Sequence, residues 1–101
     1  MIDYCIGAAQ FGMNYGIANK HGQPSLREIE KILKFSISNG INYIDTAQSY
    51  GDSERNLGSV IKKIPDAKSF KIITKLSPKL QDSSSEKIIN SVYESIKKLN
   101  V

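Results

Sequence analysis

The chain has one cysteine, one histidine and three prolines in 101 residues. It also lacks any long apolar run and any dense basic stretch. Each scarcity excludes something. A lone Cys5 cannot close an internal disulfide, so a disulfide-stapled scaffold is ruled out. Lying in the apolar run of residues 4–9, Cys5 is expected to be a buried structural thiol, which fits a reducing compartment. No segment approaches the length of a membrane span, and no basic region followed by a signal-type apolar stretch opens the chain. A cytoplasmic protein without membrane contact is therefore expected. The formal net charge is +4, but the lysines are scattered and Lys62-Lys63 and Lys97-Lys98 are the only doublets. A nucleic-acid face needs a denser basic stripe, so no nucleic-acid partner is expected. No metal site is expected either.

What is present is the composition of a folding domain, 40% hydrophobic and 24% charged, far from the signature of disorder. The length lies within the range of one domain, taken as residues 1–101. Three strand-then-helix units follow one another, the alternation that builds parallel sheets with helices packed outside. The first strand is expected over residues 4–9 and ends before Gly12; a glycine- and asparagine-rich loop then runs to Pro24. A helix opens at Ser25, with Glu28 completing a capping box, buries Leu26, Ile29, Ile32, Leu33 and Ile37, and stops at Gly40. The second strand covers residues 42–45. Its loop leads to a helix starting near Asp52 or Ser53, with Leu57, Val60, Ile61 and Ile64 inward and Pro65 at its end. The third strand covers residues 70–75. Ser83 with Glu86 reads as a second capping box, opening a helix whose buried face is Ile88, Ile89, Val92, Ile96 and Leu99.

In a parallel β/α arrangement the C-terminal ends of neighbouring strands converge on one face, where a barrel carries its active site. Asp45 and Lys75 stand at two such ends, on consecutive strands, and Tyr50 follows Asp45 closely enough to fold over the same place. A lysine ammonium beside a phenol favours the phenolate and makes the phenol a better proton donor near neutral pH. Seen singly, each residue reads more simply as a loop cap, a half-buried aromatic and an exposed charge. Glu54 reads most simply as a helix-start carboxylate favoured by the dipole.

The segment Asp45-Thr46-Ala47-Gln48-Ser49-Tyr50-Gly51-Asp52-Ser53-Glu54 resembles the D-T-A-x-x-Y-G-x-S-E pattern of the aldo-keto reductase family. Gly7-Ala8-Ala9-Gln10-Phe11-Gly12 is similar to the family's first strand and Ile72-Ile73-Thr74-Lys75 to its third, so the resemblance covers nearly the whole chain. It implies an α/β fold, the (β/α)8 TIM barrel, of which only the first three β/α units are present. It also implies an oxidoreductase that uses NADPH to reduce an aldehyde or ketone to an alcohol. Tyr50 would protonate the carbonyl oxygen, Lys75 would tune Tyr50, and Asp45 would pair with Lys75. Gly7, Ala8, Ala9 and Asp45 would lie near the cofactor; Ala8 stands where family members often carry threonine. The family's catalytic histidine belongs to a fourth strand, so His21, in the first loop, is not assigned that role. The partner expected is a small-molecule carbonyl substrate, with a loose hint of sugar metabolism from residues 11–19.

Three units cannot close a barrel, which needs eight strands and otherwise leaves unpaired edges. The chain is accordingly expected to be the N-terminal part of a longer enzyme, inactive alone. The alternative is a non-catalytic interaction or regulatory module, a partial barrel that self-associates through its open sheet edges.

Overall fold

The computed structural model describes residues 3–17 and 19–101. It contains three parallel strands, each followed by a helix: β1 (Cys5–Gly7), α1 (Leu26–Ser38), β2 (Tyr43–Asp45), α2 (Ser53–Ile61), β3 (Lys71–Ile73) and α3 (Ser85–Leu99). The sheet order is β1-β2-β3, so every connection joins spatial neighbours. Strands joined this way need a crossover, and the helices supply it on one side of the sheet.

The register explains which side is covered. Ile6, Ile44 and Ile72 stand opposite one another across the three strands. Ile44 is fully buried, and Ile6 and Ile72 pack against the core. The core itself comes from Ile29 and Leu33 of α1, Leu57, Val60 and Ile61 of α2, and Leu99 at the end of α3. Alternation along a strand then sends the neighbouring residues to the other face. There Cys5, Tyr43 and Lys71 form one row and Gly7, Asp45 and Ile73 the next. That face carries no helix, and Ile73 is 49% exposed on it.

Several expectations are corrected. Cys5 is exposed, because it falls on the open face rather than on the helix-covered one. The first strand stops at Gly7, and Ala9 belongs to a 3-10 turn, Ala9–Phe11, that drops Phe11 into the core. Helix α1 begins as expected, with Ser25 and Glu28 forming both halves of the capping box, and Gly40 follows it at φ 73°. Only part of its apolar stripe is buried, since Leu26 and Ile32 stay exposed on the flank. Helix α2 ends at Ile61, before Pro65, which instead opens a 3-10 turn, Pro65–Ser69. The cap of α3 is Ser84, whose hydroxyl accepts from the Lys87 amide, and not Ser83 with Glu86. Along α3, Ile89, Val92 and Ile96 remain exposed, and Leu99 is the residue of that stripe that is buried.

Candidate active site

Gly7 and Asp45 end β1 and β2, and β3 continues to pair beyond its last regular residue. The Thr46 amide donates to the Ile73 carbonyl at 2.8 Å, and the Gln48 amide to the Lys75 carbonyl at 3.0 Å. Lys75 therefore sits beside the loop that follows Asp45, two residues past β3. Its Nζ donates to Asp45 Oδ2 at 2.9 Å and lies 5.1 Å from the centre of the Tyr50 ring. The three residues expected to act together are thus brought together on the open face of the sheet.

The electrostatics follow from the geometry. The Asp45 hydrogen bond raises the Lys75 ammonium above the ordinary lysine value of 10.5; partial desolvation opposes this, and the charge of Asp45 and the Tyr50 hydroxyl add to the rise. A group that holds its proton more tightly stays cationic through the whole physiological range. The pair is open to water, with Lys75 47% and Asp45 39% exposed, so it contributes little to stability through Coulomb attraction alone.

Why Tyr50 sits where it does is a matter of backbone. Its amide donates to the Ala47 carbonyl at 3.2 Å, and its carbonyl accepts from the Ser53 amide at 3.0 Å, which folds residues 47–53 into a tight turn. Gly51 turns the chain with φ 55°, a left-handed conformation that glycine adopts without strain. The turn rests directly on Gly12: a Cβ added there would strike the Tyr50 carbonyl and the Ser53 amide. In return the Asp52 amide donates to the Gly12 carbonyl at 3.2 Å.

Buried hydroxyls complete the anchoring. Ser53 Oγ donates to the Ala8 carbonyl at 2.8 Å and lies 2.8 Å from Thr46 Oγ1. Because the Ser53 proton is committed to a carbonyl, which can only accept, Thr46 must be the donor to Ser53. Neither residue has any exposed surface. Glu54, 3% exposed in the first turn of α2, accepts from the Thr74 hydroxyl at 2.9 Å. Its simple helix-start reading is thus incomplete, since it also tethers the residue before Lys75. Gln48 is a second residue whose contacts the sequence does not announce. Its side chain reaches Ser77, Ser91 and Ser95, and the only signal for it was the i, i+4 spacing of two serines on α3.

Of the residues expected near a cofactor, Gly7 faces open space, with nothing within 4 Å of where a Cβ would stand. Ala8 is fully buried in the core and its amide donates to the Asp45 carbonyl at 2.9 Å. Ala9 is half-buried in the 3-10 turn. Among the described residues no group of three His, Cys, Asp or Glu gathers that could hold a metal ion. No helix among them is long and apolar enough to cross a membrane.

A parallel β/α sheet with charged and phenolic groups at the strand ends defines a piece of a β/α barrel with its site on the C-terminal face. The chain belongs to the aldo/keto reductase family, whose model matches residues 4–101. A solved "putative aldo-keto reductase" from Pseudomona aeruginosa is 31% identical, with a TM-score of 0.79 over 96% of this chain. A second structure of that description and organism is 30% identical, with a TM-score of 0.76 over 96% of this chain. A structure described as a "putative 2,5-diketo-D-gluconic acid reductase B" is 27% identical, with a TM-score of 0.63 over 96% of this chain. The chain spans 38%, 36% and 29% of the lengths of these three. A search of curated proteins gives no match.

Proposed function

We propose that the protein carrying this chain is an NADPH-dependent carbonyl reductase in which Tyr50 is the proton donor, Lys75 its cationic neighbour and Asp45 the residue that holds Lys75. The observation that carries this reading is the single ammonium shared between a carboxylate at 2.9 Å and a phenol ring 5.1 Å away. A positive charge beside a phenol favours the phenolate left after proton donation, and a carboxylate on the far side keeps that charge in place. Family membership supports the same chemistry.

The residues present fit the ring end of a dinucleotide. Gly7 offers bare backbone with open space above it, in line with Asp45 across the sheet, so a flat ring can approach closely. Gly7 and the Asp45 carboxylate would hold that end, while Ala8 contributes by fixing the Asp45 backbone and Ala9 by starting the turn that leaves the site. NADPH, when bound, supplies the hydride that reduces the carbonyl carbon. The chain's own part is the proton: the Tyr50 O–H hydrogen-bonds the carbonyl oxygen, donates its proton as negative charge builds there, and is reprotonated from water. Lys75 stays protonated throughout.

The substrate proposed is a small aldehyde or ketone, with sugar-derived carbonyls the first to try, since one similar structure is described as a "putative" reductase of a keto sugar acid. A cytoplasmic location suits the exposed, unpaired Cys5, which a reducing environment keeps as a thiol.

The test is Tyr50→Phe in the protein that carries the chain. Carbonyl reduction, followed as NADPH oxidation, is expected to fall by about 10²- to 10⁴-fold in kcat with cofactor binding retained. A variant that turned over at the wild-type rate would remove Tyr50 from the role.

A further inference from the structure

We propose that Gln48 is a positioning residue that sets the Tyr50 loop against the strand end carrying Lys75, an inference that rests on the roles proposed for those two residues. Position 48 is unspecified in the ten-residue pattern that the chain resembles, and nothing in the local sequence marks it. Its contacts do. The side-chain carbonyl accepts from the Ser77 amide at 2.7 Å. A backbone N–H can only donate, so this bond orients the amide and turns its NH2 toward α3. There it donates to Ser91 Oγ at 2.8 Å and Ser95 Oγ at 2.9 Å, with the Ser91 carbonyl further off at 3.3 Å. The backbone of the same residue donates to the Lys75 carbonyl.

One residue is thus tied to Lys75 itself, to the loop two positions beyond Lys75, and to α3 more than forty residues away in sequence. Tyr50 stands two positions further along its own strand of loop. The direct link between the reacting groups, the Lys75 side chain, is nearly half exposed and worth little as a restraint. The Gln48 amide is half-buried, and Ser95 is 4% exposed, so its bonds form where competing water is scarce. Geometry at the proton donor therefore depends on this amide more than on the ion pair.

The test uses Gln48→Leu and Ser95→Ala in the protein that carries the chain. A leucine is tolerable for packing, because Gln48 borders a shallow cavity of about 260 Å³ that Ile72, Leu76, Val92 and Leu99 also line. The expected result for Gln48→Leu is a kcat lower by about 10- to 100-fold with KM for the carbonyl nearly unchanged. The Lys75 side chain, titrated by NMR, should move back toward the ordinary value of 10.5 as its contact with Asp45 loosens. Ser95→Ala should move both readouts the same way by less. A lower melting temperature with kcat and the Lys75 titration both unchanged would overturn the proposal and leave Gln48 a purely structural residue. If the wild-type protein reduces no carbonyl, the functional reading fails, and the Lys75 titration alone decides the positioning role by the same two outcomes.

Discussion

Lys75 reaches Asp45 at 2.9 Å from a position two residues beyond the end of its strand, so the ion pair joins an element of the sheet to a segment that only continues it. The strand has no side chain of its own directly opposite Asp45 that could serve; Ile73 occupies that register. Extending the pairing through the Thr46 and Gln48 amides is what brings the ammonium alongside.

Asp45→Asn should release Lys75. The folded lysine holds its proton above its ordinary value because of Asp45, so the pair's stabilisation is fully present below 10.5 and is lost as the pH rises through the raised value. The variant is expected to show an ordinary Lys75 titration by NMR and less loss of stability in denaturant unfolding on the alkaline side. The effect on stability at neutral pH should be small, because both side chains are more than a third exposed. A lysine that titrates identically in the two proteins would contradict the assignment of the shift to Asp45.

Gly12→Ala should disturb Tyr50 without touching it chemically. The new methyl meets the backbone of Tyr50, Asp52 and Ser53, and backbone cannot rotate away as a flexible side chain can. Overpacking of this kind costs about 1–3 kcal/mol. Thermal denaturation measures the loss, and the amide shifts of Tyr50 and Ser53 should change with it. Unchanged shifts at both amides would mean the two loops are not in contact.

Thr46→Val and Ser53→Ala should differ although the two hydroxyls touch. Losing Ser53 leaves the Thr46 hydroxyl without an acceptor in a buried place, at a cost of about 1–3 kcal/mol, while the Ala8 carbonyl keeps only its bond from the Phe11 amide. Losing Thr46 Oγ1 leaves the bond from Ser53 to Ala8 intact and should cost about 1 kcal/mol. A double-mutant cycle on unfolding free energies is expected to be strongly non-additive. Equal single costs would show that the proton order is reversed or that the chain of hydroxyls does not exist.

Much of the fold, and the gathering of Asp45, Tyr50 and Lys75, could be read from the amino acids. The alternation of short apolar strands with capped amphipathic helices is a local signal, and parallel topology follows from it. Asp45 and Lys75 are legible because strand ends converge in any such sheet, and Tyr50 because the ten-residue pattern that begins at Asp45 includes it. The failures have physical causes. Residues 4–9 are apolar without alternation, so nothing in them says which face Cys5 takes. The spacing Ser83 to Glu86 satisfies a capping box, yet the helix starts one residue later, after Asp82 turns with φ 64°. Gln48 and Glu54 act through partners 20 to 47 residues away, and bonds between distant segments leave no periodicity in the chain.

The contact of Gly12 with the Tyr50 turn has one more consequence. A loop that swings over its ligand must give up conformational freedom each time it closes, and that loss weakens every binding event. Here the turn that carries the phenol is pressed against the Gly12 main chain and pinned by a pair of sealed hydroxyls before anything arrives. The disorder of that main chain has already been surrendered once, during folding, so a ligand arriving at the turn does not have to order its backbone again.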